Sequence, residues 1–293
     1  MIDVKKLLSE NAELTEKFLV RLFDEGIAGD TLLAESARYS VLGGGKRIRA
    51  SLVMEFCRMF GGSDDAALPF AAAIEMIHAF SLVHDDMPCM DNDDMRRGKP
   101  SCHKAFGEAE ALLCGDELFC AAFEVMTMND AVPDSTVRRV VREFARCAGA
   151  YGMMGGQHYD LCELPQNYDE LVRLHRMKTG ALIAASCLCG YYAASAEVDE
   201  DICERIKTYA YNLGLAFQIT DDILDVTADE KALGKPVGSD AKNGKITSLT
   251  YMTIDEAKNE AKRLTQEAIE AIVEYDGSDR ICALAEYLLS RAY

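Results

Sequence analysis

Apolar residues recur along most of this chain at intervals of three and four. Leu7, Leu8, Leu14, Phe18, Leu19 and Leu22 make one such stripe, and Ile206, Tyr209, Leu213 and Phe217 make another. That spacing predicts helices with one buried face. Two stretches, Ala71 to Val83 and Leu213 to Leu224, are apolar over most of their length and predict helices set into a core. The first should stop by Met87, because Pro88 disfavours a helical conformation in the residue before it. The second gives way to the polar Thr227-Ala228-Asp229-Glu230. Gly26-Ile27-Ala28-Gly29, Gly61-Gly62-Ser63-Asp64 and Gly277-Ser278 read as short interhelical turns. The prolines (Pro69, Pro88, Pro100, Pro133, Pro165 and Pro236) are expected at segment starts or in connections, never inside a periodic run. No stretch alternates with a period of two between hairpin signals. The expectation is an all-α fold. With no long polar linker and no solenoid-type repeat, one domain over residues 1–293 is expected.

Composition narrows the function without naming it. A hydrophobic content of 49% excludes a disordered chain. A net charge of −18 argues against a general nucleic-acid binder and raises the question of how any anionic ligand would be received. The 11 cysteines match no zinc spacing, and Cys57, Cys114, Cys120, Cys147, Cys187 and Cys282 lie in apolar runs. They read as reduced, mostly buried thiols of a cytoplasmic protein. The longest uncharged stretch, Ala181 to Ala196, is too short and too rich in Ser and Gly for a membrane span. The N-terminus leads into an amphipathic segment without the apolar core of a signal peptide.

Chemistry concentrates at the ends of the two apolar helices. Asp85-Asp86-x-x-x-x-Asp91 closes the first and Asp221-Asp222-x-x-Asp225 closes the second. A helix C-terminus already carries partial negative charge, so stacked carboxylates there call for a cation. Oxygen-only ligands suit a hard ion such as Mg2+, shared with a phosphate. Asp221 and Asp225 are four apart and share a face with Gln218, while Asp222 is turned away by about 100°. His78 lies two turns before Asp85, and Asp91 must return to Asp85 through Met87-Pro88-Cys89-Met90.

Basic residues gather nearby in sequence. Gly43-Gly44-Gly45-Lys46 is not a P-loop, since the spacing fails and no strand precedes it. Glycine-freed amides at the start of a helix, beside Lys46 and Arg49, do suit an anion. Arg47 reads as structural or exposed. Arg96-Arg97-Gly98 follows Asp91 closely enough to grip phosphate oxygens bidentately. Lys178-Thr179-Gly180 and the group Lys235, Lys242 and Lys245 complete the set. His84 reads as a packing residue, and His103, His158 and His175 have no partner pattern.

In order and spacing from about Leu33 to Asp240, these motifs resemble the short-chain trans-prenyl diphosphate synthases, most closely the bacterial farnesyl diphosphate synthases. The resemblance implies a helical barrel of the isoprenoid-synthase type, usually homodimeric. It implies head-to-tail joining of isopentenyl diphosphate to dimethylallyl and then geranyl diphosphate. Three Mg2+ ions are implied, two at Asp85 and Asp91 and one at Asp221, with Asp86 and Asp225 binding directly or one shell out. Arg96, Lys178 and Lys235 would hold the allylic diphosphate. Gly45, Lys46, Arg49, His78 and Arg97 match the isopentenyl diphosphate site. Thr179 and Gln218 would turn oxygen dipoles toward the allylic cation, and the departed diphosphate would take the final proton. Phe80, with small Ser81 beside it, stands roughly 7.5 Å before Asp85 along the helix and resembles the floor that stops a fifteen-carbon chain.

Two departures stand out. The family's basic C-terminal tail is here Ser290-Arg291-Ala292-Tyr293, and Ala50 replaces the proline common after the arginine. A geranylgeranyl diphosphate synthase remains the alternative, because the insertion Pro88-Cys89 occurs in that relative too. A terpene cyclase would not need Lys46, Arg49 and Arg97, and a non-catalytic subunit of a heteromeric synthase should have lost acidic or basic positions that are all present.

Overall fold

The computed structural model describes residues 2–227 and 245–290. Its helices are α1 Val4–Asp24, α2 Leu32–Val41, α3 Ile48–Met59, α4 Asp64–Asp85, α5 Cys102–Phe106, α6 Glu108–Thr127 and α7 Asp134–Ala148. They continue with α8 Met153–Cys162, α9 Tyr168–His175, α10 Ala181–Ala194, α11 Glu200–Thr227, α12 Ile254–Ile272 and α13 Asp279–Leu289. A π-helical turn, Arg176–Gly180, joins α9 to α10, and a 3-10 turn covers Ser248–Thr250. The predicted breaks at Gly26, Gly61 and Gly277 all fall between helices, each with positive φ.

The chain clusters into two compact units, each discontinuous in sequence. One comprises Lys5–Val141 with Cys189–Ala196, and the other Met1–Val4, Arg142–Leu188 and Glu197–Tyr293. In the first, α4 packs against α3 and α6. Ser63 caps α4 by accepting the Ala66 N–H at 3.3 Å, and Asp64 and Asp65 sit in its first turn, where the helix dipole favours them. In the second, α11 lies along α12 around Leu215, Ile219, Ile223, Ala257, Ala261 and Leu264. A capping box between Thr253 and Glu256 starts α12.

Two sequence expectations need correction. Pro69 lies inside α4, in its second turn, and is buried. Its missing N–H deprives only the carbonyl four residues earlier, close to the helix start, which is the least costly interior position. A two-residue antiparallel hairpin also exists, β1 Met95–Arg96 with β2 Lys99–Pro100. Both turn residues have positive φ, Arg97 at 52° and Gly98 at 77°, the pattern of a type I′ turn. Among the described residues α4 alone is long and apolar enough to cross a bilayer, but 78% of its apolar window is buried inside the protein, as in a core helix. The 11 cysteines are free, and most are buried, although Cys120 is exposed.

Candidate active site

In the first unit the site grows from the end of α4. Asp85 is the last helical residue and Asp86 its C-cap. The chain then turns back on itself: the Asn92 N–H reaches the Met87 carbonyl at 3.1 Å, and the Asp91 N–H reaches the Asp85 carbonyl at 2.8 Å. Asn92 adopts φ 53° to make that return. The backbone of Asp91 is thus returned to the end of α4 beside that of Asp85.

Asp86 goes elsewhere. It is 1% exposed, and Arg96 from β1 grips it through Nε, at 3.0 and 3.1 Å to its two oxygens, and through Nη2. Burial pushes the Asp86 carboxyl up, against the opposing pull of Arg96. Arg96 also reaches Asp93 at 3.4 Å. The cation that the helix end called for is therefore supplied, for Asp86, by the chain itself, and Arg96 faces this acid.

The glycine loop lies between α2 and α3. The Arg97 guanidinium donates to the Gly44 carbonyl and covers Gly45 so closely that a Cβ there would sit 3.0 Å from Cζ. Lys46 is exposed and Arg49 half-buried. Arg47, 3% exposed, points inward and bonds Glu75, Glu16 and the Val41 carbonyl, so it is structural. His78 lies deep in the unit with part of its surface open. Burial first, then Arg49, Arg97, Arg47 and Arg96, hold its pKa well below the usual value, so it is neutral and can donate without adding charge. The electrostatic reach of these four arginines on one imidazole marks a basic wall within an acidic protein.

Phe80, 8% exposed, stacks edge-on against His84 at 4.9 Å and Phe119 at 5.3 Å, and Phe119 continues to Phe123 at 5.1 Å. Ser81 beside it bonds back to the His78 carbonyl at 2.9 Å. His84 packs as expected, its Nε2 3.0 Å from the Leu112 carbonyl.

In the second unit the π turn carries Lys178 and Thr179. Such turns push side chains out of helical register and recur at functional sites. Gly156 of α8 lies directly beneath, where a Cβ would come 2.3 Å from the Lys178 nitrogen. Lys178 pairs with Asp160. Thr179 Oγ1 donates to Gln218 Oε1 at 3.2 Å. Gln218 Nε2 lies 3.5 Å from Asp222 Oδ1, and Asp222 Oδ2 accepts the Ser248 N–H at 2.8 Å. Asp222 and Asp225 are each 3% exposed, while Asp221 is half-buried. The face shared by Gln218 and Asp221 therefore extends one residue further, since the long amide side chain also reaches its neighbour four residues on.

Among the described residues no three His, Cys, Asp or Glu side chains converge as a metal cage. Carboxylates in such small numbers fit Mg2+ only when phosphate oxygens and water complete the shell, which is the usual habit of that ion. Lys235, Lys242 and Arg291 lie outside the described residues.

A model of the polyprenyl synthetase family matches residues 30–283. The chain belongs to that family. Among its relatives, the chloroplastic geranylgeranyl pyrophosphate synthase of Catharanthus roseus is 43% identical over 263 residues, covering 88% of this chain and 73% of the relative. The geranylgeranyl diphosphate synthase of Cyanophora paradoxa is 40% identical over 289 residues, covering 97% and 95%. A crystal structure of an FPP/GFPP synthase from Zymomonas mobilis matches with a TM-score of 0.84 at 35% identity, covering 98% of this chain and 99% of that one. This polyprenyl synthetase is accordingly an all-α isoprenoid-synthase fold and a prenyltransferase.

Three residues of the site were not picked out from the sequence. Glu75 could have been, as the one acid inside the apolar run of α4. Asp222 stood within a motif but was set aside by helical geometry. Asp160 carried no local signal.

Proposed function

We propose that this prenyltransferase is a geranylgeranyl diphosphate synthase, adding isopentenyl diphosphate head-to-tail to allylic diphosphates until the chain has twenty carbons. The observation that carries the product assignment is the naming of the relatives that share 40% or more identity over at least 88% of this chain. The fifteen-carbon product expected from the sequence becomes the second reading, and buried Phe80 at the floor position is what favours it.

In the first unit Asp85 and Asp91 would hold Mg2+ with a diphosphate, and in the second Asp221 would do the same. When bound, the ions stabilise negative charge on the leaving oxygen as its bond to the allylic carbon breaks. Everything else falls to the chain's own groups. Lys178, kept in place by Asp160, would bind diphosphate oxygens beside Asp221, and the Thr179 and Gln218 oxygens would face the allylic carbon as it gains positive charge. Lys46, Arg49 and Arg97, with neutral His78, would bind isopentenyl diphosphate by charge and hydrogen bonds. Its terminal alkene carbon then bonds to the allylic carbon, which leaves positive charge on the methyl-bearing carbon, and a proton lost from the methylene next to that carbon passes to the departed diphosphate. Free cysteines suit a reducing compartment, so cytoplasmic placement belongs to the proposal, as does a homodimer.

The test is incubation with isopentenyl and dimethylallyl diphosphates and Mg2+, followed by chromatography of the dephosphorylated alcohols. A twenty-carbon alcohol supports the main reading. A fifteen-carbon alcohol, extended to twenty carbons by Phe80→Ala, selects the second. No prenyl alcohol from folded protein would end both.

A further inference from the structure

Glu75 is among the buried carboxylates to which the reaction just described gives no part. Glu75, 2% exposed, sits on α4 one turn before His78, and its two oxygens do different things. Oε1 accepts the Ala50 N–H at 3.2 Å, and Oε2 accepts from Arg47 Nη1 at 3.1 Å. The first contact is a cap. Ala50 belongs to the opening turn of α3, whose leading N–H groups have no acceptor within the helix. The second contact is a clamp. Arg47 is the N-cap of α3 at φ 48°, a left-handed conformation that a residue with a Cβ keeps only where its surroundings over-determine it. Glu75, Glu16 at 3.3 Å and the Val41 carbonyl at 2.6 Å together do so.

The consequence falls on the neighbours of Arg47. A left-handed residue at 47 sets the direction in which exposed Lys46 leaves the helix start and half-buried Arg49 enters it. We infer that Glu75 is the positioning residue of the basic pair Lys46 and Arg49, acting through Arg47. By fixing that pair it governs how tightly the metal-free diphosphate substrate is held. This rests on the proposed assignment of isopentenyl diphosphate to Lys46 and Arg49. The clamp and the cap are separable, because they use different oxygens of Glu75 and a proline at 50 would have no N–H to give.

Four full-length variants test the inference by steady-state kinetics with both substrates, each checked by thermal unfolding. Glu75→Gln keeps the size and an acceptor for Ala50 but places an amide against Arg47. It should raise the KM for isopentenyl diphosphate at least about tenfold and leave kcat and the KM for the allylic substrate within about twofold. Ala50→Pro removes the cap alone and should leave all three within about twofold. Lys46→Ala tests the underlying assignment: if the KM for isopentenyl diphosphate does not rise, that assignment fails whatever Glu75 does. If it rises while folded Glu75→Gln shows no change, the positioning role is overturned and Glu75 is structural only. Should Glu75→Gln not fold, Arg47→Lys takes its place under the same criteria, since lysine keeps the charge but cannot reach three acceptors at once.

Discussion

The acid-bearing helix ends of the two units solve the same problem by different means. Around α4 the chain relies on backbone conformations that residues with a Cβ rarely adopt. Arg47, Asn92 and Arg97 are the three non-glycine residues with positive φ among those described; Arg47 bonds Glu75 of α4, and Asn92 and Arg97 follow the first motif. Around α11 the backbone stays helical, and the arrangement comes from a π turn seated on a glycine and from side chains spaced three and four apart. Each region also carries its own ion pair, Arg96 with Asp86 in one and Lys178 with Asp160 in the other. Each holds a histidine whose pKa is lowered chiefly by burial. The difference teaches that turns can place charged groups where no helix face would, at a cost in local strain, whereas a helix places them cheaply but only in register.

The comparison breaks most visibly at the carboxylates. Asp85→Asn and Asp221→Asn should each lower turnover on the order of 1,000-fold, with the circular dichroism spectrum unchanged. If one of the two keeps turnover near the parent enzyme, that motif does not hold the ions that assist leaving-group departure.

Next comes the seat of the π turn. Gly156→Ala drives a Cβ into the Lys178 backbone, which cannot swing away as a side chain could, and should cost roughly 3 kcal/mol in urea unfolding. An unchanged midpoint would mean that α8 and the turn shift freely, and that the second region is not rigid.

The buried histidine of the second region sharpens the contrast through pH. Burial lowers the His175 pKa from 6.5 to about 4, with Asp160 pulling it up and Lys178 down. The unfolded chain therefore binds a proton in the window between these values that the folded chain refuses. Stability is fully present above pH 6.5 and is lost as pH falls toward 4. Between pH 7 and pH 5 the loss from this group should be roughly 2 kcal/mol. His175→Phe should flatten the profile by that amount, and an equal slope in the variant would assign the loss to other groups.

The smallest effect belongs to the strained turns. Asn92→Ala should cost about 1 kcal/mol because alanine gains nothing from the left-handed conformation, while Asn92→Gly should be close to neutral. Equal stability of the two variants would show that the return of Asp91 to Asp85 does not depend on that conformation.

Much of this arrangement was legible in the residues. The stripe from Ala71 to Val83 and the pre-proline stop placed Asp85 at a helix end, and the loop length brought Asp91 back to it. The stripe around Leu213 likewise set Gln218 and Asp221 on one face. The hairpin at Arg97-Gly98 was missed because two paired residues per strand leave no alternating pattern, and the turn carries arginine where asparagine or aspartate would have announced it. Pro69 was misplaced because a proline signals a boundary only to within a turn or two.

Local order alone thus settled where helices run, where they end, and which acids and bases share a helix face, since those properties depend on neighbours within a few residues. Folding decided the pairings: Arg96 with Asp86, Lys178 with Asp160, and Glu75 with both Arg47 and the start of α3. Each joins residues 10 to 28 positions apart, on different elements. No periodicity reaches that far. Only burial selects such partners, because a charge removed from water must find its opposite wherever the packing has placed it.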